Sequence, residues 1–195
     1  MRLFRKPATL STPREFEELL SEHLDALYTS ALRFCAGRSA DAEDLLQDAV
    51  FRAFRHFDDL REPAAARAWL YTILTRTNLN RLRTRRRRGE TVTADLHEHE
   101  FEAALASWQH TIAPDEYAEG ALTTERLTAA MDTLDADIRP VIWLSDVEGF
   151  RQREVAEMLD IPEGTVASRL FRARRALRAA LEERMPDVRL RSSHE

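Results

Sequence analysis

The stretch from Glu148 to Leu181 restricts the possible folds most, because it contains two amphipathic segments separated by a very short turn. Val155, Ala156 and Leu159 share one face of the first segment at helical spacing. Apolar residues of the second segment recur every three or four positions, at Val166, Leu170, Ala173, Leu177 and Leu181. A proline between the segments cannot continue a hydrogen-bonded helix. The pattern therefore predicts a helix-turn-helix motif.

The face of the second helix that points away from these apolar residues is polar and basic. It carries Thr165, Ser168, Phe171, Arg172, Arg175 and Arg178. A helical hairpin with a solvated basic face is the plain structural alternative. Small residues at the start of the helix, followed directly by arginine, favour instead a helix that enters a DNA groove and reads bases near its N-terminus. The motif is therefore predicted to bind DNA.

Length and composition exclude several classes of protein. A chain of 195 residues can form one or two domains with a hydrophobic core. No apolar run approaches the roughly 18 residues that a membrane-spanning helix needs. The basic N-terminus lacks the apolar centre of a secretory signal, and the single cysteine, Cys35, excludes an internal disulfide. We therefore expect a cytoplasmic protein without membrane insertion.

The net charge of −5 is distributed unevenly along the chain. Seven arginines and no acid lie between Arg76 and Arg88, whereas nine acids and no lysine or arginine lie between Gly89 and Glu125. This asymmetry indicates two basic binding surfaces separated by an acidic connector. We expect one domain at residues 13–90, a flexible acidic linker at 91–121, and a helix-turn-helix domain at 122–187.

A helix predicted to end near Phe57 carries an acidic face. Asp41, Asp44 and Asp48 lie on this face, and Leu45 stands beside them. The opposite face is apolar and comprises Leu46, Ala49, Val50, Ala53, Phe54 and Phe57. Carboxylates at this spacing could hold a divalent metal, but no histidine or fourth acid completes a coordination shell. An exposed leucine among carboxylates instead predicts a protein-docking surface, with no metal or cofactor.

The next predicted helix, from about Ala64 to Arg86, carries a mixed aromatic and polar stripe. The stripe comprises Trp69, Ile73, Arg76, Asn80 and Arg83. Aromatic rings can stack on unpaired bases, arginines can hold phosphates, and an amide can bond a base edge. Trp69 taken alone is equally compatible with a core residue. The stripe as a whole predicts contact with single-stranded DNA.

Three segments resemble the extracytoplasmic-function (ECF) sigma factors of bacterial RNA polymerase. Residues 41–48 (DAEDLLQD) are similar to the family's polymerase-binding segment, and residues 68–74 (AWLYTIL) are similar to its promoter-melting helix. Residues 161–170 (IPEGTVASRL) are similar to its second DNA-binding helix. The segments occur in the family's order and spacing. Residues 143–150 (WLSDVEGF) are similar to the thiol-oxidative-stress branch of the family.

The resemblance implies an all-α protein with two small helical domains joined by the acidic linker. The implied function is promoter-directed transcription initiation with core RNA polymerase in a stress response, under the control of an anti-sigma factor. No catalytic activity of its own is implied.

The resemblance also implies three sets of site residues. Polymerase binding is assigned to Asp41, Asp44, Leu45, Gln47 and Asp48. Capture of the unpaired minus-ten element is assigned to Leu60, Arg61, Trp69, Arg76, Asn80 and Arg83. Reading of the duplex minus-thirty-five element is assigned to Thr165, Ser168, Arg169, Phe171, Arg172 and Arg175.

Two other classes of protein share some of these features. A one-component repressor or activator would have a helix-turn-helix, but it would need an effector pocket or a dimerisation helix and would not need the acidic docking face. A nucleic-acid enzyme would have to use the carboxylates of residues 41–48 in catalysis, without a nucleophile nearby in the sequence. Binding to core RNA polymerase separates the sigma factor from both.

Overall fold

The computed structural model describes residues 12–89 and 124–183, and these residues form helices and turns without a β-strand. The N-terminal unit consists of α1 (Pro13–Phe34), α2 (Ser39–Arg55) and α3 (Ala66–Arg87). The C-terminal unit consists of α4 (Thr124–Asp132), α5 (Arg139–Ile142), α6 (Gln152–Leu159) and α7 (Glu163–Glu183). The predicted all-α class with two helical units is confirmed. The expected linker at 91–121 lies outside the described residues.

Short irregular helices complete the two units. The 3-10 turns Phe57–Asp59 and Pro63–Ala65 connect α2 to α3, and the π-helical turn Trp143–Val147 follows α5 directly.

The start of α1 is set by local side chains. The Glu15 amide donates to Thr12 Oγ1 at 3.3 Å, and the Thr12 amide donates to Glu15 Oε2 at 3.0 Å. This reciprocal capping box satisfies backbone donors that a helix N-terminus leaves unpaired. Pro13 follows at the first helical position, where its missing N–H costs nothing. The N-terminal bound of α1 therefore follows from three residues close together in the sequence, Thr12, Pro13 and Glu15.

The orientation of α2 differs from the sequence-based prediction. Leu45 was expected to be exposed, but it is completely buried together with Ala42, Ala49 and Ala53. Phe54 was expected to be buried, but 49% of it is exposed. The small alanines let α2 approach α1 and α3 closely, so the row with the least bulk faces the core. The prediction of an exposed Leu45 was therefore wrong.

The helix-turn-helix is formed by α6 and α7. Val166, Leu170 and Ala173 of α7 are buried, as the apolar spacing predicts. Asp160 ends α6 in the left-handed conformation, with φ 54° and ψ 50°. Aspartate adopts this conformation more readily than most residues. The proline at 162 then precedes the first residue of α7, so the turn depends on the aspartate as well as on the proline.

The buried residues of the two units belong to one hydrophobic cluster. Tyr71 of α3 and Phe150, which precedes α6, contact each other edge to face with ring centroids 5.2 Å apart. Leu74 of α3 and Val155 of α6 are both fully buried in this cluster. The units therefore pack against each other, with α3 facing α6.

Candidate nucleic-acid and protein interfaces

The outer face of α2 combines acids, an amide and two phenylalanines. The side chains of Asp44 and Asp48 are 70% and 54% exposed, and Gln47 is exposed between them. Phe51 is 62% exposed and Phe54 is 49% exposed on the same side of the helix. Exposed aromatic rings of this size on a polar surface are typical of a protein-binding site.

These phenylalanines were missed as site residues in the sequence. Phe51 lies seven positions after Asp44, a spacing that places both residues on one helical face. Phe54 was assigned to the buried face because it follows Val50 by four positions. Leu45 cannot contribute to this surface directly, since its side chain is part of the core.

The acids of α2 also pair with arginines of α3. Arg81 Nε lies 3.3 Å from Asp48 Oδ2, and Arg85 Nη2 lies 3.1 Å from Asp41 Oδ1. Burial would raise the pKa of Asp41, but hydrogen bonds from Arg38 and Arg85 outweigh burial and hold that pKa below its usual value. Asp41 is therefore an ionised partner within the fold, whereas Asp44 and Asp48 remain largely exposed.

The predicted stripe on α3 lies mostly at the surface. Asn80, Arg83 and Arg76 are exposed, and Trp69 is half-buried against the hydrophobic cluster. Arg76 Nη2 donates to the backbone oxygen of Glu157 in α6 at 3.2 Å. Part of the Trp69 side chain therefore packs in the core, and part of it remains accessible at the surface, so its contact with DNA stays a prediction.

The two site residues assigned to the segment before α3, Leu60 and Arg61, differ in their exposure. Arg61 is exposed, as a nucleic-acid contact requires. Leu60 is only 6% exposed, so the structure contradicts its assignment as a direct DNA contact. Leu60 follows the Phe57–Asp59 turn directly, and Phe57 is buried in the same core. The side chains of Phe57 and Leu60 therefore both pack in the core.

The outward side of α7 presents the predicted polar set. Thr165 and Ser168 are half-buried near the helix start, and Ser168 Oγ donates to the Thr165 backbone oxygen at 2.9 Å. Phe171 and Arg172 are half-buried, and Arg175 is exposed. Arg169 differs from the others, because its side chain is only 18% exposed and pairs with Asp137 at 3.3 Å.

One further arginine of α7 has a structural partner that the sequence did not predict. Arg174 donates to both carboxylate oxygens of Asp146, at 3.0 Å from Nε and 2.7 Å from Nη2. This hydrogen-bonded pair raises the pKa of Arg174 above its usual value. The pair ties α7 to the turn after α5, so Arg174 serves the fold of the C-terminal unit.

Two family models match this chain: Sigma-70 region 2 over residues 19–88, and Sigma-70, region 4 over residues 124–177. The ECF RNA polymerase sigma factor SigL of Mycobacterium tuberculosis is 34% identical over 166 residues, which cover 85% of this chain and 88% of that protein. The chain belongs to the ECF sigma factors. The ECF RNA polymerase sigma factor SigE of Mycolicibacterium smegmatis is 32% identical over 167 residues, which cover 84% of this ECF sigma factor and 60% of that relative.

A solved structure agrees with this membership. The sigma factor RpoE of Bartonella quintana, in complex with the anti-sigma factor NepR, matches with a TM-score of 0.61 and 27% identity. The match covers 87% of this ECF sigma factor and 98% of that chain. Promoter-directed transcription initiation with bacterial RNA polymerase, as the sequence resemblance implies, is confirmed. Its relatives are sigma factors, which are transcription regulators rather than enzymes.

The described residues contain neither a membrane-spanning helix nor a metal-binding cluster. Across residues 12–89 and 124–183, no helix is both long and apolar enough to cross a membrane. The same ranges contain no group of three or more histidine, cysteine, aspartate or glutamate side chains arranged to hold a metal ion. The histidines of the acidic linker lie outside these ranges.

Proposed function

We propose that this ECF sigma factor docks on core RNA polymerase through the outer face of α2. The observation that carries this proposal is the exposure of Phe51 beside Asp44, Gln47 and Asp48. In protein interfaces, an aromatic side chain that becomes buried at the centre, with polar side chains around it, often contributes most of the binding energy. The docking set is therefore Asp44, Gln47, Asp48, Phe51 and Phe54, with Leu45 supporting it from the core.

We assign capture of the minus-ten element to the exposed stripe of α3. Asn80 can donate and accept hydrogen bonds at once, which suits the Watson–Crick edge of an unpaired base. Trp69 offers a ring for stacking, and Arg61, Arg76 and Arg83 supply positive charge for the backbone. The exposure of Asn80 and Arg83 supports this assignment.

We assign reading of the minus-thirty-five duplex to the outward side of α7. Thr165 and Ser168 lie in its first two turns, where a recognition helix approaches base edges. Phe171, Arg172 and Arg175 follow on the next turns and suit contacts to thymine methyl groups, guanine edges and phosphates. Arg169 joins this set only when it leaves Asp137.

We further propose that the factor works in the cytoplasm in a stress response and is controlled by an anti-sigma factor. The support is the match to Bartonella quintana RpoE, which was solved bound to the anti-sigma factor NepR. The similarity of residues 143–150 to the thiol-oxidative-stress branch suggests oxidative stress as the inducing condition.

The docking proposal is tested by titrating core RNA polymerase with the fluorescently labelled factor. We expect Phe51→Ala to weaken binding by about 2 kcal/mol, roughly thirtyfold in Kd, as for a central interface aromatic. Leu24→Ala is the matched control, since Leu24 is also a partly exposed apolar residue (39%) but lies on α1. Equal affinities of the two variants for core polymerase would contradict the assignment of the α2 face.

A further inference from the structure

The side chain of Arg81, on α3, lies against the acidic face of α2. Its Nε lies 3.3 Å from Asp48 Oδ2, and its Nη2 lies 3.9 Å from Asp44 Oδ2. Its Nη1 donates to the backbone oxygen of Asp41 at 3.1 Å. One planar guanidinium therefore meets three acceptors of α2, two on side chains and one on the backbone.

The arginines of α3 point in two directions. Arg81 and Arg85 are one helical turn apart and half-buried, and Arg85 Nη2 lies 3.1 Å from Asp41 Oδ1. Other arginines of the helix are exposed, namely Arg76, Arg83 and Arg87. The arginine run was predicted from the sequence as one basic binding surface. In the structure, the charge of Arg81 is directed to α2 instead of to the exposed stripe.

The contacts of Arg81 affect two acids of the proposed docking surface. Asp44 and Asp48 are one helical turn apart, and like charges at that spacing repel each other. A guanidinium beside both acids offsets this repulsion, and its rigid fork fixes their orientation more strictly than an ammonium group would. A carboxylate has about four lone-pair sites, so each acid can still accept a cation of a partner. The two side chains are therefore held in place while they remain 70% and 54% exposed.

These contacts matter more for binding than for stability. Ion pairs with largely exposed acids contribute little to the stability of a fold, and salt screens them. A side chain that a partner must order on binding costs affinity, about two- to tenfold when it has many rotamers. Acids that are already oriented in the free protein avoid this cost.

We propose that Arg81 is a positioning residue of the polymerase-docking surface, which holds the carboxylates of Asp44 and Asp48 in the orientation that a cationic partner surface requires. The inference rests on the proposed function, because it concerns the same face of α2. Complementary charge across an interface speeds association, whereas well-oriented pairs slow dissociation. Arg81 therefore has two effects on docking. Its charge slows association with a cationic partner, and its fork slows dissociation.

The variants Arg81→Ala and Arg81→Lys separate these two effects. Stopped-flow fluorescence of the labelled full chain measures its association with core RNA polymerase and its dissociation. Arg81→Ala removes both the charge and the fork, so we expect association to be about twofold faster and dissociation about fivefold faster. Arg81→Lys keeps the charge, but one ammonium group cannot span the three acceptors. We expect it to associate at the wild-type rate and to dissociate about threefold faster.

The matched control is Arg87→Ala, which removes the same charge from an exposed position on the same helix. Arg87 lies six residues beyond Arg81. The helical rise over this interval is about 9 Å, which exceeds the screening length of about 8 Å at physiological salt. Both rates should therefore keep their wild-type values. Circular dichroism and urea unfolding check that every variant is folded, and Arg81→Lys still tests the proposal if Arg81→Ala unfolds.

A DNA contact by Arg81 is the alternative to a positioning role. It is tested by binding of the polymerase-loaded factor to a single-stranded minus-ten oligonucleotide at several salt concentrations. We expect Arg81→Ala to leave the salt slope unchanged, whereas Arg83→Ala, on the exposed stripe, should reduce it by about 0.7. An equal reduction by Arg81→Ala would overturn the proposal and assign Arg81 to the DNA-binding surface.

The kinetic result can also overturn the proposal. Wild-type dissociation rates in both Arg81 variants, or an equal acceleration in Arg87→Ala, would exclude the positioning role. Asp48→Asn reports on the docking surface itself and should weaken binding to core polymerase. If it does so while both Arg81 variants dissociate at the wild-type rate, only the positioning role fails. Wild-type affinity of both Asp48→Asn and Phe51→Ala would contradict docking through α2 and, with it, the role of Arg81.

Discussion

Arg139 of the C-terminal unit donates a 2.9 Å hydrogen bond from Nη1 to the backbone oxygen of Phe34, at the C-terminal end of α1. The same guanidinium donates to the Leu134 backbone oxygen from Nε at 3.0 Å and from Nη2 at 2.8 Å. A helix end leaves carbonyl oxygens without partners, and a cation there also complements the helix dipole. Arg139 is therefore a structural cation that links the units, although it was not identified from the sequence.

Replacing Arg139 should destabilise the protein. We expect Arg139→Ala to lower the free energy of unfolding by about 2–4 kcal/mol, because buried carbonyl oxygens lose a charged partner. Arg174→Ala is the control, since that partly exposed pair with Asp146 should contribute only about 0–1 kcal/mol. Urea denaturation followed by circular dichroism measures both variants. Equal losses would show that Arg139 contributes no more than a surface ion pair.

Leu45 should act on stability rather than on direct binding. Leu45→Ala removes a fully buried side chain and should cost about 2–5 kcal/mol, because it leaves a cavity in the core. Leu24→Ala deletes the same atoms from a 39% exposed position and should cost less than about 1 kcal/mol. Thermal or urea unfolding compares the two. A small cost at Leu45 would argue against its burial.

The acid dependence of stability should include a contribution from Asp41. The pKa of Asp41 in the folded protein lies below 3.8, its value in the unfolded chain. The ionised carboxylate therefore contributes its full stabilisation of the folded state above pH 3.8, and this contribution is lost as the pH falls through the lower pKa of the folded state. We expect Arg85→Ala to raise the pKa of Asp41 and move this loss to higher pH. Carbon-detected NMR titration of the carboxyl groups measures the pKa. Arg14→Ala, which affects only an exposed pair with Glu18, should leave it unchanged.

Asn80 should act in promoter opening and not in duplex binding. Asn80→Ala removes a base contact that is available only after the base has left the helix, so closed-complex affinity should hold while melting falls. Permanganate footprinting on linear promoter DNA measures the melting. A pre-melted template should rescue transcription in part, because it removes the unpairing cost without restoring the contact. Complete absence of rescue would place the defect elsewhere.

Arg172 should contribute to binding of the minus-thirty-five duplex. If it reaches a base edge, Arg172→Ala should weaken binding by about 1–3 kcal/mol, and a purely phosphate contact would instead reduce the salt slope by about one. Affinity measured at several salt concentrations separates the two contacts. Arg174→Ala serves as the comparison on the same helix, because Arg174 is paired with Asp146. Wild-type affinity and slope would remove Arg172 from the site.

The helix-turn-helix could be predicted from local spacing because its second helix has one apolar stripe and no competing one. The orientation of α2 could not be predicted in the same way. Leu45, Leu46, Phe51 and Phe54 place apolar side chains on several sides of that helix, so periodicity alone leaves its rotation ambiguous. Packing against α1 and α3 determines the rotation of α2. The small alanines on one side of α2 allow the closest approach, and Leu45 lies on that side and is buried.

The sequence by itself determined the helical class, the two basic segments, the recognition helix and the family, since each depends on residues within a few turns of one another. Only the tertiary structure decided which charges meet. Arg67 and Glu148 are 81 positions apart, and Arg86, Asp137 and Arg169 come from three separate segments. Helical periodicity describes neighbours three or four positions apart and carries no information on such pairs. The contacts between the units therefore emerge only when both hydrophobic faces pack into one core.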